Sequence, residues 1–492
     1  MSNASAFPPP PSRFPDVPVY GGWLSPSRIE ADVFELEVEG EIPAALNGRL
    51  YQLGPDPQLP NRLGDDVVFN GDGLMRMFTF ADGHVDYRSR YVLTEKLKLE
   101  RAARRSLFGA YRSPYTDDFS VRGKSAGTAN TTAYFHAGKL LALKEDSLPV
   151  EMDPATLETI GPYDFGGAVT SETFSAHPRT DPRTGEQFFF GYEARGLATR
   201  NVAYYVADAH GKIIHEAWFE GPYCGFMHDF LVTDDYVVFP FMPAVAELDR
   251  IRAGGKHWQW DPTKGTQFAI MPRYGTAKDI RYVSAPPRFA FHFFNAHNDG
   301  TTITIDGSIA EGFHNPYPYP DTLGNDFDPL ASATLVRRWT LDYAEGTFGE
   351  EILLPEYTEF PVIDDRFETG ANRVGFVLAR GAGQTHPDVL HGPLGLNTVI
   401  RYDFEKSQVI STHVLGPTSS AQEAVFMPRY DGAPEGDGYL LMLANRWDTM
   451  LNELLVLDTE RLEDGPVATA KLPFRVHFAF HGCWVPEHLL EG

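Results

Sequence analysis

The chain has 492 residues, well past the roughly 50 to 200 residues of a common domain, so it holds either several domains or one large closed body. Lys and Arg total 42 against 67 Asp and Glu, a net charge of −25 spread along the chain, which repels phosphate backbones and anionic lipid and excludes nucleic-acid binding and stable membrane insertion. With 35 Phe, 22 Tyr, 45 Gly and 38 Pro and few helical stretches, many short strands joined by tight turns in one all-β body are expected.

Residues 1–20 are Pro-rich, with neither the basic start nor the apolar core of a secretory leader, and read as an extended, mobile arm ahead of a single domain over 21–492. No long uncharged apolar run follows, which points to a cytoplasmic protein. The two cysteines, Cys224 and Cys483, are too few for a disulfide framework and read as buried free thiols in a reducing compartment. A homodimer is left open.

From Val33 to Glu39 the sequence alternates as one strand, Asn47-Gly48 marks a turn, and Arg49–Leu53 begins a new strand. Met75–Phe80, the turn Asp82-Gly83 and Val85–Tyr91 form a hairpin pattern. Glu95–Phe108 is rich in helix formers and basic on one side, and reads as a solvated helix packed over one face of the body. Strands are then expected at Thr132–Leu143, Gln187–Tyr192, Val202–Val206, Tyr236–Phe241, Thr398–Asp403, Tyr439–Leu443 and Glu453–Asp458. Pro- and Gly-rich stretches near Phe313–Pro329 and Gly381–Gly395 read as loops inserted on one face.

Four of the sixteen histidines share aromatic neighbours at the edge of an expected strand: His177 in Phe-Ser-Ala-His-Pro, His228 in Phe-Met-His-Asp-Phe, His292 in Phe-Ala-Phe-His-Phe-Phe and His481 in Phe-Ala-Phe-His-Gly. The steps from 177 to 228, 228 to 292 and 292 to 481 are 51, 64 and 189 residues. These are about one, one and three units of ~50 to 65 residues, the scale of a four-stranded blade with long loops. A β-propeller with loops and a few short helices capping one face over a metal centre fits that spacing; no literal repeat backs it, and a β-sandwich array stays open. His297 and His477 are internal rivals to His292 and His481. His481 is preferred over His477 because the glycine after it permits a tight turn.

Four neutral imidazoles suit Fe, Cu, Ni or Zn rather than Mg or Ca. Such ligands normally pass their second ring N–H to a carboxylate. Glu145, Glu359 and Glu423 stand in apolar, strand-like surroundings where a lone charge is costly, and together match that need, although each alone reads equally as a surface carboxylate or a local ion pair.

The segments Asn47–Tyr51, Phe69–Gly73, His136–Leu143, Ser175–Pro178, Met227–Phe230, His292–Ala296, Glu359–Pro361 and Phe480–Gly482, in this order and from about residue 33 to the C-terminus, resemble the carotenoid cleavage oxygenase family. The resemblance implies a seven-bladed β-propeller with one non-haem Fe(II) on its axis, held by His177, His228, His292 and His481 and supported by Glu145, Glu359 and Glu423. It decides between His481 and His477.

Two positions depart from the family's carotenoid-cleaving members: Asn295-Ala-His-Asn298, where an aromatic and Glu often follow the Ala, and Lys144, where an aromatic or aliphatic residue usually stands. Lys144 with Tyr111 and Phe69 is similar to the bacterial branch that cleaves lignostilbene and resveratrol. That likeness implies a dioxygenase splitting the central C=C bond of a 4-hydroxystilbene into two aromatic aldehydes with O2, with Tyr111 and Lys144 on the phenol oxygen. Phe69 and Phe313 would stack on the flat substrate, and Thr131 resembles a residue near the open iron position. Read without the likeness, Lys144 is a solvated lysine at a strand end. Two other functions remain to be separated: an apocarotenoid oxygenase, which needs a greasy entrance, and a non-catalytic propeller binding zinc.

Overall fold

The computed structural model describes residues 13–64, 66–313, 332–381 and 395–490. Among them are 32 strands and two α-helices, Glu95–Ala103 and Leu248–Arg252, so the expected all-β body with few helices is what the chain builds. The strands form six sheets, of nine, four, six, five, four and four strands. All neighbouring strands run antiparallel except at one place, where the nine-stranded sheet is continuous only through a parallel bridge between His481 and Thr132.

Burial explains the strand sequences. Gln187–Tyr192 and Thr398–Asp403 are buried at every residue, because other sheets cover both of their faces; the first carries Phe188, Phe189 and Phe190 in succession, and the second places Val399, Ile400 and Tyr402 between polar residues. Gln408–Val414, at the edge of its sheet, is exposed or half-exposed throughout and carries Gln, Ser, Thr and His. Aromatic rings fill the space between sheets: Phe174 and Phe189 stack at 4.4 Å, and Phe189 stacks in turn on Phe165 at 5.0 Å and Tyr205 at 5.3 Å.

The two ends of the chain share sheets twice. Glu37–Gly40 pairs with Pro466–Lys471, and Gly48–Pro55 pairs with His481–Pro486, placing Leu53 opposite His481. This pairing carries the C-terminal histidine to the centre of the molecule. Gly482 lies in that extended strand rather than in a turn, and its bare Cα serves close approach: a Cβ there would stand 2.3 Å from the Tyr51 carbonyl oxygen.

Several expected elements differ in extent. The alternating run Val33–Glu39 is two strands, Ala31–Val33 and Glu37–Gly40, broken where Glu35 takes φ +62° and Phe34 points into solvent. Thr132–Leu143 is a hairpin, Thr132–His136 and Lys139–Leu143, turning through Ala137 and Gly138 at positive φ. The helix expected over 95–108 stops at Ala103, where Arg104 adopts the left-handed conformation; Thr94 caps its start by accepting from the Leu97 N–H. That helix is less solvated than expected, because Lys96 and Glu100 are buried and Lys96 Nζ lies 2.8 Å from both Asp72 and Glu100.

Within the expected N-terminal arm, Val19 and Tyr20 are buried in a hydrophobic cluster and Phe14 packs edge-on against Tyr20, so the body begins before residue 21. The loops expected near Phe313–Pro329 and Gly381–Gly395 fall, over 314–331 and 382–394, outside the described residues. No helix among the described residues is long and apolar enough to cross a membrane.

Candidate metal centre and substrate slot

His177, His228, His292 and His481 come from four separate places in the chain and meet at one point. One ring nitrogen from each lies within 4.8 Å of all the others. Nε2 of His177 is 2.9 Å from Nε2 of His228, and Nε2 of His292 is 3.1 Å from Nε2 of His481. His477 is elsewhere, buried, with its Nε2 3.1 Å from the Leu24 carbonyl oxygen.

The other ring nitrogens settle what the four can hold. Nδ1 of His292 is 2.7 Å from Glu359 Oε2, Nδ1 of His481 is 2.8 Å from Glu423 Oε1, and Nδ1 of His228 contacts Glu145. Each carboxylate accepts from Nδ1–H, which leaves the Nε2 lone pair free and turned inward. Lone pairs facing one another at about 3 Å repel unless a cation lies between them. That separation is also the spacing of neighbouring nitrogens around one ion with metal–nitrogen bonds of ~2.1 Å. The residues therefore fit one transition metal ion.

Burial and the neighbouring imidazoles hold His177 and His292 well below the ordinary imidazole pKa, in the neutral form a ligand needs. Burial alone would raise the Glu145 carboxyl; the His228 ring against it and hydrogen bonding bring it down to about 2.

Backbone irregularities aim these side chains. The pairing of Phe289–Asp299 shifts register between Ala290 and Phe293, around His292. Thr358–Ile363 shifts between Glu359 and Val362, with Phe360 at φ +56°, and Ser419–Pro428 shifts between Ala421 and Ala424, around Glu423. A bulge of this kind breaks the two-residue alternation and re-aims a side chain towards a site. Phe226 stacks on His228 at 6.1 Å and Phe360 on His292 at 5.5 Å, so the rings are held by carbon on one side and carboxylate on the other.

Glu423→Ala is expected to weaken metal binding by roughly 10- to 100-fold, the usual cost of losing a carboxylate behind a ligand. Competition with a chelator, followed by metal analysis, measures it; an unaltered affinity would mean that the carboxylate does not support the His481 ring.

Lys144 is not a solvated lysine. It is 2 % exposed, its Nζ donates to the Phe69 carbonyl and to Thr128 Oγ1 at 2.7 Å, and it lies 5.3 Å from the centre of the Tyr111 ring. Burial pushes its pKa down, against the pull of Asp146 and Glu145, and burial pushes the Tyr111 hydroxyl up, so that Tyr111 stays a donor. The Phe69 ring is 6.4 Å from Tyr111, 6.2 Å from Phe291 and 5.4 Å from Phe480. Since Phe291 precedes His292 and Phe480 precedes His481, Phe69 bridges the lysine–tyrosine pair and the histidines.

Thr131 is buried and adjoins the centre through its carbonyl, which accepts from the His481 N–H at 3.2 Å; its hydroxyl donates to Asn130 Oδ1. Phe313 is further out. It is reached from Phe291 through Phe289, each step 4.9 Å, and stacks on Trp260.

One cluster was not visible in the sequence. Arg112, next to Tyr111, pairs with Glu193, is sandwiched near the Tyr192 and Trp258 rings, and accepts through its carbonyl from His257, whose other ring nitrogen is 3.1 Å from Glu193. Arg112 and Glu193 both have positive φ. Nothing in their local sequence marks them, because their partners are distant in the chain and their backbone conformation is imposed by packing.

The family model described as Retinal pigment epithelial membrane protein matches residues 24–486. Isoeugenol monooxygenase of Pseudomonas nitroreducens is 44% identical over 480 residues, covering 95% of this chain and 97% of its own. Lignostilbene-alpha,beta-dioxygenase isozyme III of Sphingomonas paucimobilis is 41% identical over 483 residues, covering 96% and 98%. The crystal structure of lignostilbene dioxygenase from Pseudomonas brassicacearum superposes with a TM-score of 0.91 at 39% identity, covering 96% of this chain and 99% of that one. With four inward-facing imidazoles on that shared fold, the chain is an oxidoreductase of the dioxygenase kind and belongs to the Retinal pigment epithelial membrane protein family, the carotenoid cleavage oxygenases.

Proposed function

We propose that this protein is a non-haem Fe(II) dioxygenase that cleaves the central C=C bond of 4-hydroxystilbenes, of the lignostilbene or resveratrol type, into two aromatic aldehydes. The observation that carries the reading is the buried Lys144, set over Tyr111 and joined to the histidines by the Phe69 ring. One iron per chain, held by the Nε2 atoms of His177, His228, His292 and His481, would supply the redox chemistry that lets O2 react with a closed-shell alkene.

The chain's own residues prepare the alkene. A phenol oxygen between Lys144 Nζ and the Tyr111 hydroxyl gains two hydrogen bonds that are stronger to the phenolate than to the phenol. Each is worth about 1.5–3 kcal/mol, and lowering a phenol from a pKa near 10 to about 7 takes roughly 4 kcal/mol. Two such bonds supply about 3–6 kcal/mol, which brackets that requirement. The charge of a para oxygen delocalises through the ring onto the alkene carbon, making it electron-rich, which a meta oxygen cannot do. Phe69 and Phe313 would hold the flat substrate, and Thr131 would border the open side of the metal.

Seven blades are part of the proposal. Dividing the nine-stranded sheet at its one-residue parallel bridge leaves seven antiparallel sheets, a number that supports a propeller closed by the pairing of the two chain ends. A cytoplasmic location and a diffusible phenolic substrate accord with the acidic composition.

Incubating iron-loaded enzyme with resveratrol under air tests the function: 4-hydroxybenzaldehyde and its 3,5-dihydroxy partner are expected, and a stilbene whose para oxygen is methylated should not turn over. Absence of both aldehydes, or equal turnover of the methyl ether, would overturn it. A second reading is favoured by the isoeugenol monooxygenase of Pseudomonas nitroreducens at 44% identity. A 4-propenylphenol presents the same phenol and alkene to Lys144 and Tyr111, and a higher kcat/KM for isoeugenol than for any stilbene in the same assay would select it.

A further inference from the structure

A phenol that ionises inside a closed slot must release a proton, and a buried site has few places to send one. Among the described residues, Lys144 Nζ has three polar neighbours: the Phe69 carbonyl, Thr128 Oγ1 at 2.7 Å and Asp146 Oδ2 at 3.6 Å. Only Asp146 is a base. Its second oxygen, Oδ1, is buried and has no hydrogen-bond partner among the described residues.

Asp146 also lines a cavity of about 270 Å³, separate from a cavity of about 140 Å³ that runs along His177 and His292. Arg112, Asp117 and Glu193 line the first cavity with it, and its rim includes the exposed Lys124, Ala126 and Glu172. At ~30 Å³ per water it has room for a chain of several. Asp146 thus has the buried lysine on one side and a solvent-connected space on the other.

We propose that Asp146 is the proton exit of the phenol slot: it accepts a proton from Lys144 and passes it to the cavity, while Lys144 takes the proton of the substrate phenol. The inference rests on the reading that Lys144 and Tyr111 hold a phenol. The step balances: the phenol O–H breaks as a Lys144 N–H forms, a Lys144 N–H breaks as an Asp146 O–H forms, and one proton reaches solvent with no redox change.

The other charged groups facing these two are committed. Glu145 is held by His228, and Glu193 by Arg112 and His257, while Lys124 at the rim pairs with Glu95 at 3.0 Å. Tyr111 is raised by burial and does not compete as a base. Burial lowers Lys144, making its neutral form reachable, and burial raises Asp117 to about 6, which suits a second carrier on the cavity wall.

The test is anaerobic mixing of the iron-loaded enzyme with resveratrol, following the long-wavelength phenolate band and, with a pH indicator, the proton released. In wild type one proton per site is expected to appear with the band. Asp146→Asn is expected to slow both by on the order of 100-fold, as for loss of a positioned general base. Iron content and the affinity for the non-ionisable para-methyl ether should be unchanged. Asp146→Glu should restore most of the rate. Ala126→Trp, at the exposed rim, should slow proton release in the same direction without touching the slot, and keeps the test open if the Asp146→Asn protein does not fold. Equal rates in wild type and Asp146→Asn, or in Ala126→Trp should that be the surviving variant, would overturn the exit alone. No phenolate band in wild type would overturn the phenol slot and the exit together.

Discussion

His481→Ala is expected to leave the protein folded, without metal and without turnover. The ring supplies one of four Nε2 donors, and no other His, Cys, Asp or Glu in the described residues joins that group. Metal affinity should fall by more than the roughly 100-fold that marks the upper cost of losing a carboxylate behind a ligand. The fold has reason to survive, because the backbone of residue 481 keeps its place: its N–H still donates to the Thr131 carbonyl, and the strand His481–Pro486 still pairs with Gly48–Pro55. Metal analysis of the purified variant, with circular dichroism as the control, gives the result. The informative partner is His477→Ala, four residues away. His477 is buried against the Leu24 carbonyl, so its loss should cost stability and keep one metal per chain. If His477→Ala lost the metal and His481→Ala kept it, the identity of the centre would have to be redrawn.

Lys144→Met should separate the substrate slot from the metal centre. Methionine fills much the same volume but carries no charge, so the packing around Phe69 and Thr128 is largely kept while the donor to the phenolate goes. Turnover is expected to fall by about 10²–10³-fold, the range for removing one preorganised donor to developing charge, with a full complement of iron. The loss should fall mainly on kcat, since the contact matters most when charge has moved into the ring. The para-methyl ether of the substrate should bind the variant as well as it binds wild type. A variant that lost iron, or one that turned over at the wild-type rate, would remove Lys144 from the chemistry.

A bare lysine in an apolar wall is costly, and this chain meets the cost with the Phe69 carbonyl, the Thr128 hydroxyl and the Tyr111 ring. On the proposed reading, such a site favours a substrate that brings an anion over a hydrocarbon, which would leave the buried charge unneutralised.

How much of this could be read from the chain alone varies with the distance over which each feature is decided. A strand such as Gln187–Tyr192 was legible because burial on both faces writes itself into the consecutive aromatics Phe188, Phe189 and Phe190. The Thr132–Leu143 hairpin has the sequence pattern of one strand because Ala137, an ordinary residue, takes the positive φ that a turn usually assigns to glycine or asparagine. The helical pattern runs to Phe108 because the sequence keeps helix formers past Ala103, whereas in the structure Arg104 turns left-handed and Leu107 and Phe108 are drawn down by their N–H groups onto the buried Glu100 carboxylate.

Composition by itself determined the all-β class, and aromatic flanks marked His177, His228 and His292, whereas the choice of His481 over His477 and the pairing of Glu145, Glu359 and Glu423 with the histidines rested on the family resemblance. Which face each one points to was decided only in three dimensions. The register shifts at His292, Glu359 and Glu423 cancel the alternation that local pattern predicts, and the seat of His481 depends on pairing with a strand more than 400 residues away. The role of Asp146 and the Arg112–Glu193–His257 cluster likewise exists only as distances between remote side chains, since charge burial is a property of what surrounds a group and not of the residues beside it in the chain.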